Sequence, residues 1–308
     1  MPRIRERLRL SERMARLSNL QFAMLLTLPV LLFLVVVIGY PLGYALWVSL
    51  QKVSFFGGFQ TTFIGGQNYI DVFNSSAFWD SVIISLRFTV ESVILTLLIG
   101  LGIALVLAQP FRGKKLVRTL VILTWAVSRY GVAIMFKHFA RGRSGFATAI
   151  SYLLGINIQV NPLTQYTVIE TLAVGNAWNL APLVAFFLLA NIETIPSRLY
   201  DVAKIDRLGI FKRFFYVTLP YLRYTLFIFT AIVTVLSLRS FDFIFVQTGG
   251  GPAMRSATLT YQIYKETFIN FNWGYGVAIS FYLLALIIGV TMLLFVVWGR
   301  REFKGGTL

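Results

Sequence analysis

The residues able to do chemistry in this sequence are few, and most of them sit inside apolar stretches. Asn176 and Asn179 lie three apart, as do Thr234 and Ser237, so each pair shares a helix face and offers amide or hydroxyl groups to a ligand. Polar groups at membrane depth are costly unless they face protein or water, which makes these four the candidate lining of a solute path. Trp178 and Phe241 present aromatic faces on which a ligand ring can stack, although packing is the commoner use of such rings. Tyr261 completes the candidate set as a hydroxyl-binding or gating group, and Asp242, next to Phe241, is an acidic group within an apolar stretch. His138 is the single histidine, cysteine is absent, and the 12 acidic residues are scattered mostly singly. Neither a metal site nor a convergent acid–base or nucleophilic set is expected from that inventory. No G-x-x-x-x-G-K-S/T phosphate loop occurs, and the glycines between Thr248 and Pro252 read as a sharp turn.

The elements that must position these groups are apolar helices. Of 308 residues 57% are hydrophobic and 13% charged, where a soluble domain carries about 25% charged residues. About 20 apolar residues span a hydrocarbon core, and stretches of that kind predict about six transmembrane helices in an all-α integral membrane fold. They fall near 22–50, 81–108, 119–139, 166–190, 224–246 and 275–298. The third is weakened by Arg129 and Lys137, the fourth by Glu170, Asn176, Asn179 and Pro182. Arg87 and Glu91 are four apart, Arg239 and Asp242 three apart, and each couple is expected to pair along its helix.

The net charge of +16 reads as topology rather than nucleic-acid binding. The N-terminal end, the second and fourth connections and the C-terminal tail hold 19 of the 28 Lys and Arg residues, against 5 in the other three connections. The positive-inside rule then puts both termini in the cytoplasm. Three parts follow: a basic segment 1–21, a six-helix domain 22–298 and a basic tail 299–308. Residues 3–17, with six arginines, suit either a short helix on an anionic leaflet or a solvated tail. The apolar run that follows is too long for a cleaved signal and reads as an uncleaved first span.

The cytoplasmic segment 193–223 changes character from membrane-apolar to amphipathic. Pro196 suits a first helical turn, Leu199, Val202, Ala203 and Asp206 share a face, and Gly209 allows a break. Phe211, Phe214, Phe215 and Thr218 recur at helical spacing, and Pro220 is expected to end this second helix before the fifth span.

The run Tyr200-Asp201-Val202-Ala203-Lys204-Ile205-Asp206-Arg207-Leu208-Gly209, with Phe214 and Val217-Thr218-Leu219-Pro220, resembles the EAA loop of ABC importer permeases. It is most similar to the carbohydrate-uptake branch related to maltose, trehalose and glycerol-phosphate permeases. Tyr40-Pro41-Leu42, Ser49-Leu50, Phe63-Ile64-Gly65, Asn68-Tyr69, Phe241-Asp242, Thr248 to Pro252 and Gly274-Tyr275-Gly276 extend the likeness in order along the chain. The resemblance implies a type I permease fold in the cytoplasmic (inner) membrane, passing a sugar or sugar-like solute. It implies ATPase coupling through Asp201, Val202, Ala203, Asp206, Arg207, Gly209 and Pro220. It also implies four kinds of neighbour: a second permease subunit forming a heterodimer, two ATPase subunits, an extracytoplasmic solute-binding protein, and membrane lipid. No cofactor is expected on this chain, because ATP and Mg belong to the ATPase. Asp201 stands for the loop's usual Glu, Val202 for Ala, and Arg207 for the Gly that usually follows the Asp. If that position takes positive φ, Arg207 costs about 1 kcal/mol, unless Gly209 takes over the turn. The third span departs from the family pattern at Arg129 and Lys137. A stand-alone secondary transporter or channel, with Glu170 or Asp242 as an ion site, is the alternative, and the lack of an inverted repeat weighs against it.

Overall fold

The computed structural model describes residues 18–54, 60–156, 158 and 161–299. The expected surface segment 3–17 and, apart from Gly299, the basic tail 299–308 lie outside the described residues. Among the described residues, five helices are long and apolar enough to cross a membrane: Gln21–Ser49, Ser76–Ala108, Val168–Glu193, Ile210–Leu238 and Trp273–Trp298. A bent pair, Lys114–Ala126 and Arg129–Phe139, makes up to six.

The expected third span is therefore corrected, because its two halves meet at 96°. Val127 and Ser128 are extended, and the Ser128 side chain accepts a hydrogen bond from the Gly131 N–H, so a new helix is capped where one continuous helix was expected. The fifth span is corrected at both ends. It stops at Leu238, and a separate helix, Asp242–Gln247, follows. At its other end it continues into the second helix of the segment 193–223, a knob of two short helices, so Pro220 does not end that helix. A π-helical turn at Phe214–Thr218 precedes Pro220, and the carbonyl its ring would crowd, that of Tyr216, lies within the widened turn. The first span uses the same arrangement, with a π turn at Val35–Gly39 ahead of Pro41.

The second and fourth crossings form the centre of the molecule, and the fifth packs against both. Toward the ends nearer the segment 193–223, Leu107, Leu180, Val184, Leu188, Leu222 and Val233 make one buried cluster. A second gathers Phe88, Leu172, Phe243, Ile244 and Tyr261, joining the short helix Asp242–Gln247 to the broken third crossing. The fourth crossing is the most buried of the five, so its weak hydropathy reflects polar groups that face protein rather than lipid. The first span touches the rest through Tyr40–Ser49, which lies on the last crossing.

The two long connections carry structure. Gln51–Ser54 and Gln60–Phe63 pair antiparallel, Gln51 opposite Phe63, followed by the helix Gln67–Phe73. The other holds a short turn, Gly142–Ser144, and the helix Phe146–Leu153. Three of the family-like motifs meet here. The Asn68 amide donates to the Ser49 and Gln51 carbonyls at 2.8 and 2.9 Å, and the Ser49 and Tyr69 hydroxyls bond at 2.8 Å. Gly274 lies so close to the Gln51 carbonyl that any Cβ there would collide with it.

Candidate functional site

The knob begins at the helix Ser197–Ile205, with Pro196 as its N-cap. Its end is closed by two bonds, Leu208 N–H to the Ala203 carbonyl at 2.9 Å and Arg207 N–H to the Lys204 carbonyl at 3.0 Å. That pair is the Schellman closure, which requires a left-handed residue just past the helix. Arg207 fills the position at φ 52°, while Gly209 stays extended at φ −66°. The left-handed position thus falls on Arg207, and Gly209 does not relieve it.

Ala203 and Ile195 are buried, and the Tyr200 hydroxyl bonds to that of Thr218 at 3.1 Å, which braces the knob on the fifth crossing. Asp201 is exposed and pairs with Lys204 at 3.0 Å. Asp206 is the C-cap and is exposed, as is Val202. Ile205, Ile210 and Phe211 are 79%, 76% and 81% exposed, with Phe215 and Tyr216 exposed beside them in sequence.

The candidate path residues divide into two groups. In the first, Asn176 on the fourth crossing donates to the Ser237 hydroxyl on the fifth at 3.0 Å. Both are buried, as are Asn179 and Thr234 one turn along. Thr234 donates to the Thr230 carbonyl at 2.7 Å, whereas the Asn179 Nδ2 has no partner among the described residues. In the second, Phe241 stacks on Phe245 at 5.0 Å between ring centres and touches Tyr264 at 5.2 Å; Tyr261 meets Tyr264 at 6.2 Å. Burial pushes the Tyr261 phenol up, so it remains a neutral hydroxyl. Gly250, left-handed at φ 80°, lies against the Tyr261 ring, which bears out the sharp turn read from the sequence. Trp178 belongs to neither group: it is 49% exposed and points away from the face that buries Asn176 and Asn179.

Arg87 pairs with Glu91 at 2.8 Å as expected, and also with Glu170 of the fourth crossing. The expected Arg239–Asp242 pair does not form. Arg239 ends one helix and Asp242 opens the next, so the three-residue helical spacing is lost. Arg129 joins the first group of path residues unforeseen. Its Nη2 donates to the Asn176 Oδ1 at 2.8 Å and to the Ser240 hydroxyl at 3.0 Å. A charged residue inside an apolar run was the available signal, and it read as a weakness of the span.

Apolar crossings around a buried polar seam, one of them broken beside it, define a polytopic membrane transport protein. A scan against protein-family models finds no match. The chain is 32% identical to the trehalose/maltose transport system permease protein MalF of Thermococcus litoralis over 271 residues, 87% of this chain and 90% of that one. It is 28% identical to the sulfoquinovosyl glycerol transport system permease protein SmoG of Agrobacterium fabrum, covering 89% of each. Its fold matches a chain of the bacterial alginate ABC transporter in complex with alginate pentasaccharide-bound periplasmic protein. That match has TM-score 0.74 and 19% identity, and covers 89% of this chain and 92% of the other. The chain belongs to the family of sugar ABC transport permeases, the membrane-spanning subunits of ABC importers. It is a multi-pass protein of the cytoplasmic membrane.

Proposed function

We propose that the chain forms half of the translocation pathway for a sugar or sugar-like solute and is driven through its cytoplasmic knob by an ATPase. The carrying observation is the knob's apolar surface. Ile205, Ile210 and Phe211 are each more than three-quarters exposed, and an apolar patch of that kind marks a protein contact. Asp201 beside it offers a charge to the same partner.

The sequence has no phosphate loop, so ATP and Mg are assigned to two partner subunits. A second permease of similar length completes the pathway, and an extracytoplasmic binding protein delivers solute at the face opposite the knob. The alginate transporter, crystallised with its periplasmic protein, supports this arrangement by its fold. The charge distribution supports cytoplasmic termini. Asn176, Asn179, Thr234 and Ser237 would meet solute hydroxyls, with Phe241, Asp242 and Tyr261 at the gate and Trp178 facing a neighbour. The trehalose/maltose and sulfoquinovosyl glycerol systems of the relatives support a glycosyl solute.

The test is co-purification of the ATPase with the membrane-inserted chain. Asp201→Lys and Phe211→Glu each lower ATPase recovery severalfold while the permease stays folded. Full recovery with both changes combined sinks the docking role.

A further inference from the structure

We infer that Arg129 is a specificity-determining residue of the solute path and that the solute carries an anionic oxygen group, a carboxylate, sulfonate or phosphate. The inference rests on the sugar-permease reading above and narrows its solute class.

A guanidinium inside the membrane is expensive unless something offsets its charge. Arg87 and Arg118 each hold a carboxylate, Glu91 with Glu170 and Glu193 respectively. Arg129 holds none within 4 Å among the described residues. Its partners are the Asn176 amide oxygen, the Ser240 hydroxyl and the face of Phe243, 5.8 Å from the guanidinium carbon. Both hydrogen bonds leave from Nη2 and take up its two N–H groups, and the Nε–H is buried without a partner among the described residues. Both paired edges of a guanidinium run through Nη2, so what is left for an oxyanion is Nη1, which holds no partner among the described residues.

The charge balance around it is positive. Asp242 and Arg239 are the charged groups within electrostatic reach, and with Arg129 they leave one uncompensated cation. The partners are rigid: Asn176 and Ser240 are fully buried, Asn176 is held by Ser237, and the Ser240 carbonyl accepts from Thr260 at 2.8 Å. Arg129 itself is only partly buried, so one side stays reachable. A glutamine could link Asn176 and Ser240 without bringing a charge into the membrane, so a purely structural staple leaves the charge unexplained. An oxyanion bound through Nη1 supplies the missing counter-charge, while Asn176 and Ser237 stand beside it for hydroxyls.

The test is uptake by the complete transporter, with its own binding protein, in proteoliposomes. The probes are matched in size: glucose, glucuronate, glucose 6-phosphate and sulfoquinovose, then maltose against maltobionate. The wild type takes up an anionic member in preference to its neutral partner, and the panel shows which oxyanion it accepts. In Arg129→Met the ratio of anionic to neutral uptake falls about tenfold or more, the loss of one charge-assisted contact, and in Arg129→Lys it falls less. Wild-type preference for the neutral sugars overturns the assignment even if neither variant assembles. An unchanged ratio in Arg129→Met overturns it equally. If an assembled, ATP-hydrolysing complex takes up no sugar of either kind, the sugar-permease reading fails and this inference falls with it.

Discussion

Arg207 shows how a single residue can keep a shape that its side chain opposes. The two Schellman bonds require a left-handed residue after the helix, and Arg207 supplies it at a steric cost of about 1 kcal/mol. Arg207→Gly should therefore raise the stability of the detergent-solubilised chain by about that amount, read from its unfolding midpoint. Gly209, extended and with open space around its Cβ position, should accept alanine with a change under about 1 kcal/mol in the same assay. The cost at Arg207 was readable in the sequence from the Asp-Arg pair, but its location was not. Either residue could have carried the turn, and the hydrogen bonds to Ala203 and Lys204 decide it. Arg129 was harder to read, because Asn176 and Ser240 are 47 and 111 residues away and no local pattern announces them.

Among the elements, the straight crossings were legible because an uninterrupted apolar run of their length has few other uses. The broken third crossing was not. Its break is made by one serine cap inside a run that remains apolar on both sides, and hydropathy averages over a single cap. Ser128→Ala should weaken that restart by about 1 kcal/mol, measured as faster hydrogen exchange at Gly131 and Val132 than at Ala133 onward. Pro220 misled in the opposite direction: proline usually stops a helix, but the π turn before it absorbs the crowded carbonyl. Where the last crossing meets the strand pair, Gly274→Ala should cost about 1–3 kcal/mol, because the Gln51 carbonyl cannot retreat without giving up Asn68. Melting of the purified chain checks it, and Asn68→Ala should lower the melting point in the same way.

For the whole molecule, the absence of cysteine makes topology directly measurable. Ile210→Cys should react with a membrane-impermeant maleimide only in opened vesicles, and Ser75→Cys should react in intact cells. The opposite pattern would invert the orientation read from the basic connections. The continuity of Ile210–Leu238 has a mechanical consequence. Its 29 residues form one rod about 43 Å long, with Phe211 near one end and Ser237 near the other. A sideways push on Phe211 that turns the rod by about 10° about its middle swings the Ser237 end by about 4 Å. That exceeds the reach of the 3.0 Å bond between Ser237 and Asn176. Leverage at the knob end is enough to unfasten the polar seam, with no hinge needed between them.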